Sequence, residues 1–200
     1  MKFFPAVLVL ALSASTAHGV QGGSHDHRHP GGGGTDQPLG KGPSFRLIDQ
    51  HNRAFRLEDL KGKVAFVTFL YTSCTTVCPV IMTKFLDVQK AMGDRVGKDV
   101  CFIAITVDPE RDTPQALRRF AAKWKVGSPG WTFLTGRPEE IAQAAKSYGV
   151  SYRKLPDGEI EHSAVTCLVD RKGMTRSAYG LTAGVDRMAG DARMILLEQL

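Results

Sequence analysis

Two unbroken runs of apolar and β-branched residues, 64–71 and 100–107, dominate the hydrophobic pattern of this chain. Runs of that length predict strands buried on both faces, as in a parallel sheet covered by helices. Between them Val80, Ile81, Phe85, Val88 and Met92 recur at helical spacing and stop at Gly93, so a helix joins the two strands. Asp112-Thr113-Pro114 then starts a second helix, with Leu117, Phe120, Ala121 and Trp124 on one face. A short strand at 131–134, a helix at 138–148 and an extended segment at 150–154 follow. After the turn Pro156-Asp157-Gly158, strands at 164–169 and 174–179 flank the turn Asp170-Arg171-Lys172-Gly173, and a last helix begins near Asp186. Upstream, 45–48 and 54–57 read as two short strands round the polar turn Asp49-Gln50-His51-Asn52.

This order predicts an α/β chain with a thioredoxin-like fold, an added N-terminal β-hairpin and insertions. The folded domain is expected over 44–200. Residues 20–43 are Gly-rich, with Gly31 to Gly34 in a row and almost no large apolar side chain, and read as a flexible tether. Within it His25, His27 and His29 alternate; neutral imidazoles in such a tract can bind Cu(II), Ni(II) or Zn(II), and a soluble linker explains them equally well. Residues 1–19 read as an export signal: Met1 and Lys2, an apolar stretch broken only by Pro5 and Ser13, then Ser15-Thr16-Ala17-His18-Gly19. As a helix that stretch would rise about 18 Å, short of the roughly 30 Å hydrocarbon core. The mature protein is therefore expected to be periplasmic or otherwise exported, soluble after cleavage near Ala17 or Gly19, and membrane-anchored only if the signal is retained.

Among 200 residues, 42% are hydrophobic, enough for one core and one domain, expected as a monomer. Lys and Arg number 26 against 20 Asp and Glu, but the excess is scattered, without a basic stripe interleaved with aromatics. That argues against nucleic acid, and leaves docking on an acidic partner or peripherally on an anionic membrane.

Four cysteines, Cys74, Cys78, Cys101 and Cys167, are too few for a disulfide framework in a chain this long. Cys74-Thr75-Thr76-Val77-Cys78-Pro79 sits between the carboxyl end of a buried strand and the amino end of a helix, where open α/β sheets bind ligands. Unpaired amides and positive potential there favour the thiolate. Residues i and i+4 lie about 5–6 Å apart at Cβ, so both sulfurs can turn toward one ion, and the same pair can close as a disulfide.

His162 bears on the choice. It lies in Glu161-His162-Ser163-Ala164, at about the place where thioredoxin-like oxidoreductases carry a cis-proline facing their cysteines. An imidazole there points to a site of two sulfurs and one nitrogen, suited to Cu(I), tolerant of Cu(II), and open to zinc with a fourth ligand. Asp108 ends the second buried strand on the same edge; it can supply an oxygen to Cu(II) or receive a hydrogen bond that fixes the loop. Helix capping and turn formation account for Asp112 or Thr113 and leave Asp108 less accounted for. Cys101 and Cys167 read as core residues, held about 9–10 Å apart by the intervening cysteine-loop strand, too far for a disulfide.

The sequence resembles the SCO/SenC family of copper chaperones for cytochrome c oxidase over roughly 44–200. Three motifs carry the likeness: Phe69-Leu70-Tyr71-Thr72-Ser73-Cys74-Thr75-Thr76-Val77-Cys78-Pro79; Val107-Asp108-Pro109-Glu110-Arg111-Asp112-Thr113-Pro114; and His162-Ser163 followed by Leu168-Val169-Asp170. The resemblance implies copper, Cu(I) or Cu(II), on Cys74, Cys78 and His162, with Asp108 near the metal. It also implies a metallochaperone delivering copper to, or preparing the thiols of, the binuclear copper centre of a respiratory oxidase. The oxidase subunit carrying that centre, or another copper chaperone, is the implied partner. The alternative is a thiol:disulfide reductase with Cys74 and Cys78 as its redox pair. A peroxidase, with Arg111 as the nearest thiolate-stabilising arginine, is a third reading.

Overall fold

The computed structural model describes residues 40–41 and 45–198. The readings of 1–19 as a signal and of His25, His27 and His29 as a metal-binding tract lie outside them.

The strands β1 (Gly40–Lys41), β2 (Arg46–Asp49), β3 (Ala54–Arg56), β4 (Val64–Leu70), β5 (Val100–Thr106), β6 (Trp131–Thr135), β9 (Thr166–Val169) and β10 (Met174–Tyr179) form one sheet in the order β1-β10-β9-β4-β5-β6-β2-β3. β4 and β5 are buried at every position, as unbroken apolar runs require of central strands. They run parallel in register from Val64↔Val100 to Leu70↔Thr106, so both end on the same edge. β6 continues parallel to β5, and β9 lies antiparallel to β4.

The β4–β5 and β5–β6 crossovers carry α1 (Val77–Met92) and α2 (Pro114–Lys123). Right-handed crossovers advancing the same way across a sheet put both helices on one face. The rings agree: Phe85 of α1 packs on Phe66 and Phe102 at centroid distances of 6.2 and 5.2 Å, and Phe120 of α2 meets Phe133 at 5.7 Å. α4 (Val185–Leu197) packs beside α1, while α3 (Pro138–Ser147) covers the opposite face, where its capping Tyr148 meets Phe69 at 5.9 Å. Gly93 ends α1 at φ +56, a left-handed conformation that glycine adopts without a Cβ penalty.

β7 (Tyr152–Lys154) and β8 (Ile160–His162) form a separate antiparallel pair, with Tyr152 opposite His162. The sequence pattern predicted an extended 150–154 but no strand at 160–162, and it began the next strand two residues early. Gly40–Lys41, inside the segment read as a tether, pairs with Thr175 and Met174 at the edge of the main sheet. Among the described residues no helix is long and apolar enough to cross a membrane.

Candidate metal centre

β4 delivers the chain to Tyr71, and a tight loop closed by Cys74 N–H donating to Tyr71 O (3.2 Å) leads into α1. No side chain caps the helix at Thr76, and the first-turn amide of Cys78 has no intrahelical acceptor. That amide donates to the Cys74 sulfur at 3.3 Å. Burial opposes ionisation of Cys74, but hydrogen bonds from the Cys78 side chain and amide and from Thr76 outweigh it and hold its thiol below the ordinary value. Cys78 behaves oppositely: at 1% exposure, burial and then the neighbouring Cys74 sulfur push its thiol well up. The pair thus consists of one readily ionised and one strongly protonated thiol, both reduced.

The β7–β8 hairpin swings His162 over this loop. Its Nε2 lies 3.7 Å from Cys78 Sγ, and its Nδ1 faces Ser163 O at 3.3 Å. Donation from Nδ1–H to that carbonyl leaves the Nε2 lone pair facing the sulfur. Burial lowers the imidazole pKa, against a smaller opposing effect of the Ser163 carbonyl, so the ring is neutral and able to ligate. The Tyr71 ring meets it edge-on at 5.9 Å.

Two donors bound to one ion at about 2.3 Å for thiolate sulfur and about 2.0 Å for imidazole nitrogen are about 3.5–3.8 Å apart at tetrahedral to trigonal angles. The observed separation of Cys78 and His162 fits that span. Among the described residues no three His, Cys, Asp or Glu side chains already surround a common point.

Asp108 follows β5 on the same edge, 2% exposed, but its carboxylate accepts from Arg111 Nε. Arg111 Nη2 donates in turn to Gly158 O at 2.7 Å. No hydrogen bond joins Asp108 to Cys74, Cys78 or His162, and Arg111, the arginine of the peroxidase reading, is engaged by Asp108 and Gly158 rather than by either thiol.

Of the two residues offered for capping, Thr113 takes that role, and the Asp112 side chain takes another. Thr113 caps α2 through Ala116 N–H (3.2 Å), while Asp112, fully buried, accepts from Thr72 N–H (3.0 Å), Thr72 Oγ1 and Thr106 Oγ1. It ties the cysteine loop to β5. Its position before Thr-Pro concealed this role; alternation along β5, which turns Thr106 toward the helices, was the available signal.

Cys101 on β5 and Cys167 on β9 flank β4, opposite Ala65 and Val67 respectively, as separate buried thiols. Burial raises both to about 12.

The family model described as SCO1/SenC matches residues 34–197. A SCO1 protein homologue of Bacillus subtilis is 34% identical over 138 residues, covering 68% of this chain and 71% of its own length. The chain spans 65% of the SCO2-like protein of Rickettsia conorii, at 31% identity over 66% of its own length. Among solved structures, copper-bound ScoI of Bradyrhizobium japonicum superposes with a TM-score of 0.68 at 35% identity, covering 78% of this chain and 99% of that one. BsSco, a member of the Sco family of cytochrome c oxidase assembly proteins in which a disulfide switch has been identified, superposes at 0.70 with 31% identity, covering 82% and 98%.

Proposed function

This chain belongs to the SCO1/SenC family, and from that premise we propose that it is an exported copper-binding protein whose ligands are Cys74, Cys78 and His162. The observation that carries the assignment is the approach of His162 Nε2 to Cys78 Sγ at 3.7 Å, beside a second sulfur one helical turn away. The copper-bound relative supports the choice of metal. Two thiolates and one imidazole favour soft Cu(I) and also accept Cu(II).

Copper is the cargo. Three ligands leave a position where a target's sulfur or imidazole can enter before Cys74, the more exposed of the two cysteines, lets go. The proposed recipient is the binuclear copper centre of a respiratory oxidase, reached directly or through another copper chaperone, with the protein acting as a monomer in the periplasm or an equivalent compartment. His25, His27 and His29 are proposed as an accessory set of imidazole ligands for copper. The test is copper titration of the reduced protein, comparing wild type with His162→Ala and with the tether removed. Tight stoichiometric binding weakened by His162→Ala supports the reading; binding indifferent to that substitution removes His162 as a ligand.

The unequal thiols favour a second activity on the same residues. The Cys74 thiolate attacks a target disulfide, forming a mixed disulfide and releasing one target thiol. The Cys78 sulfur, losing its proton, then attacks Cys74, forming the Cys74–Cys78 bond and releasing the second target thiol. Two electrons pass to the target, as required before its cysteines take copper. Metal-free exchange kinetics and the reduction potential of the pair test this reading. Fast exchange with Cys74 attacking, independent of His162, supports it.

A further inference from the structure

His162 sits on a hairpin that the main sheet does not hold. β7 and β8 pair only with each other, and an isolated two-stranded hairpin is marginally stable at best. At its base Ser163 N–H donates to Ser151 O (2.9 Å), and Thr68 Oγ1 of β4 donates to Val165 O (3.1 Å) just beyond it. Ile160 buries its side chain in the core, and the tip reaches the rest of the molecule through three further, polar side chains. Lys154 pairs with Glu110 at 2.7 Å, but both are largely exposed and such pairs contribute little. Tyr71 donates to Glu159 Oε2 (2.6 Å) and accepts from Ile160 N–H (3.4 Å). Arg111 is the third, and its partners differ in kind: the buried Asp108 carboxylate fixes Nε, and Nη2 holds the Gly158 carbonyl at the hairpin turn.

A guanidinium is a planar fork whose donors keep a fixed relation to one another. Held by Asp108, which is fixed by Asp108 N–H donating to Thr106 Oγ1 at 2.9 Å, the fork transmits the position of the β5 edge to Gly158. β5 and β4 end together, so the hairpin turn is referenced to the edge that carries the cysteine loop. We infer that Arg111, oriented by Asp108, is a positioning residue for His162: it fastens the turn of the hairpin and so sets where the imidazole stands relative to Cys78. Asp108 then acts on the metal through Arg111 and the hairpin rather than as an oxygen ligand. The inference rests on His162 being a ligand, as proposed above.

Lysine at 111 keeps a positive charge beside the buried Asp108 but cannot reproduce the fork to Gly158, so Arg111→Lys separates positioning from folding. The experiment measures Cu(I) affinity of the full-length reduced protein by competition with a chromogenic Cu(I) chelator. Wild type, Arg111→Lys, His162→Ala and the double variant are compared. Outer partners of metal ligands typically matter by about 10- to 100-fold, so Arg111→Lys is expected to weaken copper about tenfold. In the His162→Ala background it is expected to add less than about twofold, because the group it positions is gone. In the metal-free protein, imidazole NMR signals of His162 shift or broaden in Arg111→Lys, while those of the Phe102 ring do not. Wild-type affinity with unchanged His162 signals overturns the inference, as does an equal loss in both backgrounds. If His162→Ala itself leaves copper affinity unchanged, the ligand assignment fails, and the metal-free His162 signals alone decide whether Arg111 positions the hairpin.

Discussion

Cys78 Sγ and His162 Nε2 stand 3.7 Å apart although 84 positions separate them in sequence. The sheet creates this proximity: β4 ends at the cysteine loop, and the hairpin that precedes β9, its antiparallel neighbour, folds back over the same edge. The site is made by topology acting on two short segments, and each of its side chains makes a distinct prediction.

Cys74 is the reactive thiol. Its lowered pKa makes it the first of the four cysteines alkylated as pH rises, with Cys78, Cys101 and Cys167 protected by burial and raised pKa values. Iodoacetamide labelling of the reduced, metal-free protein across pH 6–9, read by mass spectrometry, checks this; earlier modification of Cys78 contradicts it.

Asp112 is a stabilising clamp whose ionisation is opposed by burial. Asp112→Ala leaves Thr72 N–H and two hydroxyls without their acceptor, and is expected to cost about 2–3 kcal/mol in urea denaturation. Because its folded pKa is raised, its contribution is full below the unfolded value of about 3.9 and falls as pH rises through the folded value. The stability gap between wild type and Asp112→Asn should therefore narrow from pH 4 upward. A gap that widens with pH excludes the raised pKa.

His162 has its pKa lowered by burial, so folding favours the neutral ring. Its contribution to the metal-free protein is present above about 6.5 and is lost as pH falls through the lowered folded value. NMR titration should place its midpoint below 6.5, and a midpoint above that value contradicts the buried placement.

Phe102 anchors the core away from the candidate site. It stacks on Trp131 at 4.6 Å and on Phe66 at 5.5 Å with no exposed surface, so Phe102→Ala is expected to cost about 3–5 kcal/mol. Copper stoichiometry of the folded variant should equal that of wild type; calorimetry and titration read the two effects separately.

The central strands and helices were legible because their periodicities are strong. The run at 64–71 became Val64–Leu70, and the helical spacing ending at Gly93 became Val77–Met92. The order β9-β4-β5, and with it the separation of Cys101 from Cys167, followed from the thioredoxin-like arrangement. β8 escaped because Ile160-Glu161-His162 is three residues long and pairs only with another three-residue strand. β1 escaped because Gly40–Lys41 pairs through its backbone, which leaves no side-chain pattern to read. In the candidate site, spacing and fold position singled out Cys74, Cys78 and His162, which the fold brings close together. The Asp112 clamp and the Arg111 fork were not legible, because each depends on partners about 40 or more positions away, Thr72 and Gly158.

The most direct measurement is X-ray absorption of the stoichiometric Cu(I) complex of the full chain, in wild type and in His162→Ala. Wild type should show two sulfur scatterers near about 2.3 Å and one nitrogen near about 2.0 Å. His162→Ala should lose the nitrogen shell while keeping both sulfurs. An identical nitrogen shell in the two proteins, or fewer than two sulfurs in wild type, contradicts a copper centre built from Cys74, Cys78 and His162.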